Sequence, residues 1–400
     1  MTEEATGATP EGAGGGSARG PLAGIRVVDL TTNLSGPFAT MILAQQGADV
    51  IKIERPPGGD ILRNVGSRRG GVSSYFVNTN WGKRSVALDL NDDADKATFA
   101  RLVAHADVVV ENFRPNVMPG LGFAADDLVA RHPRLIYVAI RGFPAGSRLA
   151  NAPTYDHVIQ ATTGFAANQA HLRTGEPQLV QQGVTDKIAG LTTAQAVTAA
   201  LFDRERTGHG QVLEVPMLHA ALAFLWPDVA SNTAIEGDFD RVPPQSRTYR
   251  LTATADGYLA MITVTTPQWE GLLRTVGRDD LVGNPDYASP HLRGKNGAAI
   301  MKDAAATIAT MPTAEVVARL AAEGVPCAAV VDLDDVPEVV EELSPGFLVH
   351  EEHPQLGAVI HPRPAVEFRG APEPRPAPAV GEHTAEVLAE LDALEALDRD

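Results

Sequence analysis

Asp186 stands near the head of the stretch QQGVTDKIAGLTTAQAVTAALFDRERTGHGQ. From Ile188 to about Arg206 apolar residues recur at helical spacing (Leu191, Val197, Leu201), Ala196, Ala199 and Ala200 permit close packing, and Thr207-Gly208 supplies a stop. The pattern places Asp186 at or just before a helix N-terminus, where unpaired N–H groups and the positive end of the helix dipole favour a charged carboxylate. Spacing alone leaves two readings open. One is a helix cap, a role aspartate often fills; the other is a carboxylate nucleophile able to carry an acyl group.

The remaining reactive side chains point to less chemistry. Cys327 is the only cysteine, which excludes an intrachain disulfide and a cysteine-based metal cluster. It begins the strand-like GVPCAAVVD and reads as a small buried hydrophobe. His350, His353 and His361 are separated by Pro, Gly and strand-like residues, without the i, i+4 spacing that puts two ligands on one helix face, so no metal is expected.

The 400 residues are 44% hydrophobic, enough for a large core and two or three domains. No apolar run approaches bilayer length, so no membrane is expected. The first 20 residues, rich in Gly, Ala and acids, lack a signal-peptide pattern and read as a disordered tail, and a cytoplasmic enzyme follows. A net charge of −17 argues against nucleic acid. The exception is residues 51–90, where Lys52, Arg55, Arg63, Arg68, Arg69, Lys83 and Arg84 outnumber Glu54, Asp60 and Asp89, a balance suited to a small polyanion such as a nucleotide or coenzyme A.

The elements that must position these groups come in βαβ order. IRVVDL, the turn TTNLSG, the helix PFATMILAQQG and DVIKIE make the first unit. Leu34, Ser35 and Gly36 then sit at a helix N-terminus that can receive phosphate or an adenine edge, with Pro37 tolerated in the first turn. This turn is not the G-x-G-x-x-G fingerprint, so no nicotinamide cofactor is indicated. SVALDL, DADKATFARLVAHA and DVVVENF form a second unit, and AADDLVARH with LIYVAIRGF a third. The fold class is α/β, with a large doubly wound parallel-sheet domain whose ligands bind at the carboxyl ends of its strands. Asn112, Phe113 and Arg114 close one of those strands. From 227 to 343 the pattern is that of a smaller α/β domain with its linkers, with strands YRLTAT, GYLAMITV and GVPCAAVVD and the helix TPQWEGLLRTVG; residues 21–226 are the first part of the large domain.

Three segments, VTDKIAG with RERTGHGQVLEVPMLHA and ENFRP, resemble those of the family III CoA-transferases, a likeness running from about Pro21 to Leu391. The resemblance implies that Asp186 is a nucleophile that becomes acylated, and that Asn112, Phe113 and Arg114 contact coenzyme A. By the same likeness Arg55 and Leu88 lie along the nucleotide part of the coenzyme and Tyr155 near its pantetheine end. It further implies an acyl-CoA and a carboxylic acid as substrates, no tightly bound cofactor, a return of residues 344–400 to the large domain, and an interlocked homodimer. Two departures stand out: Gly120 in VMPGLG where some members carry arginine, and RVPPQSRTYR where some formyl-CoA transferases carry a glycine run, which speaks against oxalate and formate as the pair. Gly183 and Gly190 could leave backbone open for oxyanion donors. The enzymatic alternative is an α-methylacyl-CoA racemase, whose histidine directly before the residue matching Asp156 is here Tyr155, with His157 on the other side. The non-enzymatic alternative is a CoA-binding protein without activity.

Overall fold

The computed structural model describes residues 20–171, 174–241, 249–371, 373 and 375–397. The expected tail, apart from Gly20, and most of the RVPPQSRTYR segment lie outside the described residues. Two compact units are present, one running to Pro227 and resuming at Val349, the other spanning Asp228–Leu348.

The first unit contains β1 (Arg26–Asp29), α1 (Ser35–Gln45), β2 (Asp49–Glu54), the short pair β3 (Arg68–Arg69) and β4 (Val72–Ser73), α2 (Ser74–Asn80) and β5 (Arg84–Ala87). It continues through α3 (Asp93–Ala104), β6 (Val108–Glu111), α4 (Val117–Leu121), α5 (Ala125–Arg131), β7 (Ile136–Arg141), α6 (Asp156–Thr163), α7 (Phe165–Asn168), α8 (Val184–Thr207), β8 (Val212–Pro216) and α9 (Met217–Val229). Six strands form one parallel sheet in the order β5-β2-β1-β6-β7-β8. Val27 pairs with Val50 on one side and Val108 on the other. All three are buried, as expected of a sheet covered on both faces. The strand order reverses between β1 and β6, which is where such sheets bind ligands. β8 was not anticipated as a strand: it is a half-exposed edge strand whose short QVLEVP carries no clean alternation.

The smaller unit is built on the three-stranded sheet of β9 (Leu251–Ala253), β10 (Tyr258–Met261) and β11 (Cys327–Ala329). Its helices are α10 (Thr266–Thr275), α11 (Pro290–Asn296), α12 (Ala298–Ile308), α13 (Thr313–Ala322) and α14 (Val336–Leu343). Leu259, Leu272, Ile308, Val316 and Leu320 make its core. A capping box between Thr265 and Gln268 starts α10, satisfying two backbone donors at once.

The chain then adds the hairpin β12 (Leu348–His353) and β13 (Gly357–Pro362) and the helix α15 (Thr384–Leu397). Val387 and Leu391 of α15 enter the same core as Val28, Ile51 and Val86. Arg84 at the head of β5 reaches Glu386 at 3.1 Å and Glu390 at 2.7 Å, tying the last helix to the sheet.

α1 and α8 cross closely because Gly190 has no side chain. A Cβ there would lie 2.8 Å from the Ser35 carbonyl oxygen and 2.9 Å from Phe38. The backbone contact cannot yield without moving a helix. Gly190→Ala is expected to lower the unfolding free energy by about 2 kcal/mol, an overpacking effect, despite alanine's better helix propensity; urea denaturation checks this.

Candidate active site

α8 starts at Val184, earlier than the apolar spacing indicates, so Asp186 lies inside the first turn and caps nothing. Its N-cap position is Gly183, which has no side chain to offer. The capping carboxylate comes from Asp156, the first residue of α6 and 29 residues from Thr185. One oxygen of Asp156 accepts from the Thr185 N–H (2.7 Å), the Thr185 hydroxyl (2.8 Å) and the Asp186 N–H (3.0 Å). Its other oxygen accepts from the Gln160 amide at 2.5 Å. Gln160 also bonds the backbone of Val180 and Gln182, fixing the strand-like approach to α8. A cap supplied from another helix leaves no local spacing, and so escapes sequence reading. The available signal was an aspartate ahead of Val158 and Ile159, with a stop at Gly164.

Asp186 is half-buried, and the Ser35 hydroxyl, on the first residue of α1, lies near its carboxylate and favours the charged form. Burial is the main cause that pushes the Asp186 carboxyl up, to about 7. The nearby Asp156 charge adds to the rise, and the Ser35 hydroxyl opposes it. The first N–H groups of α8 are already bonded to Asp156, so they do little for the Asp186 carboxylate itself. Gly183 and Gly190 are both packed against the start of α1. A Cβ on Gly183 would lie 2.5 Å from Leu34, and Gly190 carries the helix crossing, so both are small to admit α1. The Ser35 and Gly36 N–H groups, in the first turn of α1, lie outside the helical ladder.

The turn between β1 and α1 is held from three sides. Asn112, at the end of β6, accepts from the Thr32 N–H at 3.0 Å and donates to the Thr32 carbonyl at 2.7 Å. Asp60 accepts from the Asn33 N–H at 3.2 Å. Lys52 donates to the Thr31 carbonyl at 2.7 Å. Asn112 thus acts on the turn that carries Leu34 and Ser35, with both ends of its amide engaged.

The other expected site residues differ in exposure. Phe113 packs against the sheet core, while its carbonyl accepts from Arg141. Arg114 is exposed. Tyr155 is exposed and immediately precedes the capping Asp156; His157 is exposed too. Arg55 is exposed and ion-paired with Asp89 at 3.0 Å. The Leu88 side chain is buried in the core cluster with Phe99, Leu102 and Phe123, which leaves its backbone for a ligand. The basic stretch is corrected. Lys52, Arg63, Lys83 and Arg84 are buried and paired with Asp60, Glu54, Asp29 and Asp49, so most of that charge neutralises the interior and makes no anion surface. Among the histidines, His353 stabilises its hairpin turn by accepting from Gln355 and Leu356, and His361 bonds Glu351 at 2.9 Å. Among the described residues no group of three or more His, Cys, Asp or Glu is arranged to hold a metal, and no helix is long and apolar enough to cross a membrane.

A family model described as CoA-transferase family III matches residues 22–384 of this chain. The chain belongs to that family. It is 32% identical to acetyl-CoA:oxalate CoA-transferase of Acetobacter aceti, with 94% of this chain and 97% of the relative covered. It is 31% identical to succinyl-CoA:glutarate CoA-transferase of Mus musculus, with 93% and 86% covered. Among solved structures it is similar to a CAIB/BAIF family protein from Brucella suis, at a TM-score of 0.80 and 29% identity over 93% of this chain and 100% of that one. The protein is therefore an enzyme of the transferase class, and CoA thioesters are the substrates of its family.

The two carboxylates make a testable pair. Asp156→Asn keeps an oxygen for the α8 cap but removes the like charge beside Asp186. The ionisation midpoint of Asp186 is expected to fall from about 7 towards the ordinary carboxylate range, by about one unit, as read by carbon NMR of labelled aspartate.

Proposed function

We propose that this family III enzyme moves CoA from an acyl-CoA donor to a carboxylic acid acceptor with Asp186 as the covalent nucleophile. The observation that carries the reading is the Asp186 carboxylate itself, half-buried where α1 and α8 begin and hard to ionise because of burial and Asp156. A carboxylate stripped of water and opposed by a second charge is a better nucleophile than one in bulk solvent, because its negative charge is less stabilised before attack.

In the first step an Asp186 oxygen attacks the thioester carbonyl. The oxyanion of the tetrahedral intermediate lies toward the Ser35 and Gly36 N–H groups at the positive end of α1. The C–S bond then breaks, giving a mixed anhydride and CoA thiolate. The thiolate attacks the aspartyl carbonyl, the donor acid leaves as its carboxylate, and an aspartyl-CoA thioester remains. The acceptor carboxylate attacks this thioester, forming a second anhydride and regenerating the thiolate. Attack of the thiolate on the acceptor's carbonyl yields the new acyl-CoA and frees Asp186. Each step exchanges one acyl bond for another, so neither ATP nor a net proton is required.

For the coenzyme we assign Leu34 and Ser35 to the reacting end, Tyr155 to the pantetheine, and Asn112, Phe113, Arg114, Arg55 and the Leu88 backbone to the nucleotide side. Asn112 serves through the turn it holds. Arg55 can exchange Asp89 for a phosphate, since both are at the surface. The relatives' acids, oxalate and glutarate, are dicarboxylates, and a dicarboxylic acid is the acceptor class to screen first. A homodimer accompanies the reading, and light scattering is expected to give twice the chain mass.

Trapping tests the chemistry. With acyl-CoA and an acceptor acid, hydroxylamine or borohydride is expected to modify Asp186, and Asp186→Ala is expected to lose turnover by at least about 10³-fold while still binding CoA. Because the attacking form is the carboxylate and its midpoint lies at about 7, turnover rises as pH rises through that value. Unchanged turnover in Asp186→Ala sinks the proposal. Exchange of an α-proton in deuterated water without an adduct would support a racemase using His157 instead, and CoA binding with neither activity would support a non-catalytic role.

A further inference from the structure

Beneath the β1–α1 turn lies an ionic cluster that the acyl-transfer steps do not use. Lys83, between α2 and β5, is entirely buried. Its ammonium donates to Asp29 (2.9 Å), to the Pro37 carbonyl (2.9 Å) and to the Asn80 amide oxygen (2.8 Å). Asp29, the last residue of β1, also accepts from the Thr31 N–H (2.8 Å) and from the hydroxyls of Thr31 (2.5 Å) and Thr40 (2.7 Å). One ammonium thereby joins the end of β1, the first turn of α1 and the end of α2.

Stability alone is a poor reason for this arrangement. Burying an ion costs several kcal/mol even after relaxation, and apolar side chains of similar volume often replace a buried pair without loss. An ammonium differs from an apolar group in having three directed donors. Here they fix Pro37, two residues from Ser35, at the end of α1 that faces Asp186: a Cβ on Gly183 would meet both Leu34 (2.5 Å) and the Asp186 carboxylate (3.7 Å). The cluster contains three acids (Asp29, Glu54, Asp60) and three bases (Lys52, Arg63, Lys83), so its charges cancel and little field reaches Asp186.

We propose that Lys83 is a positioning residue of the transferase: it holds the first turn of α1 so that the Ser35 hydroxyl and the adjoining N–H groups stay aimed at Asp186. The inference rests on the reading of Asp186 as the nucleophile. Lys83 touches neither substrate nor Asp186 and acts through Ser35.

A double-mutant cycle on the full chain tests it, using Lys83→Met and Ser35→Ala. Each single variant is expected to lower kcat by about 10- to 100-fold, the scale of a small misplacement at a reacting centre. For Lys83→Met the KM for acyl-CoA is expected to change by less than about threefold, because only uniform binding would move it strongly. The double variant is expected to fall no more than about threefold below the worse single, since residues acting along one chain of contacts are not additive. Losses that multiply overturn the proposal, as does a lowered Tm with unchanged kcat. If Lys83→Met does not fold, Thr40→Val removes one bond to Asp29 and leaves both charges. It is expected to show a smaller kcat loss with the same non-additivity against Ser35→Ala; an unchanged kcat overturns the proposal. Trapping on the unmodified enzyme separates the two claims: an adduct at Asp186 with an additive cycle sinks only the role of Lys83. A missing adduct sinks the nucleophile, while the cycle, read on turnover, still decides whether Lys83 acts through Ser35.

Discussion

The site depends on one carboxylate capping a helix that belongs to another. By bonding the Thr185 and Asp186 N–H groups, Asp156 satisfies the start of α8 and releases Asp186 from that duty. The same contact sets two negative groups close together in a partly dry place, which raises the Asp186 carboxyl. The sign of the stability effect follows. A carboxyl raised in the folded state binds its proton there more tightly than in the unfolded chain, so folding loses stability as pH climbs from the ordinary carboxylate range to about 7. The local disadvantage falls on the residue proposed as the nucleophile, where reactivity and stability want opposite environments.

Around that contact the sheet supplies rigidity. The end of β1 and the end of β6 meet at the reversal of strand order, and the Asn112 amide bridges them by reading both polar groups of Thr32. Below, Asp29, Lys83, Lys52 and Asp60 replace water with fixed partners for the turn's polar groups. A loop built this way behaves as part of the scaffold, and Ser35 inherits its position from residues on β1, β2, β6 and α2.

Much of this was legible in the sequence, and the reasons for the rest are specific. Asp49–Glu54 is a strand where DVIKIE indicated one, since an apolar run between turn signals reads plainly. Asp93–Ala104 is a helix where DADKATFARLVAHA indicated one. The start of α8 was misplaced by one turn because its cap, Asp156, is remote, and neither propensity nor periodicity contains tertiary hydrogen bonds. Lys52 and Lys83 were read as charges available to a ligand; composition counts a side chain without telling whether its partner is a phosphate or a buried aspartate. Gly183 and Gly190 drew attention for a missing side chain, and the space that this leaves is taken by Leu34 and α1.

The closure of the first unit by α15 bears on how the protein is made. Val387 and Leu391 complete a core whose other members include Val28 and Ile51, and some 120 residues of the second unit are synthesised between them. A ribosome releases the N-terminal strands long before the final helix exists. Until then the apolar ground meant for Val387 and Leu391 is uncovered, and the Arg84 guanidinium has Asp49 but not Glu386 or Glu390. The nascent sheet is consequently the species a chaperone would recognise, and a message truncated near its 3′ end would yield a chain with every reactive residue in place and no finished core to hold them.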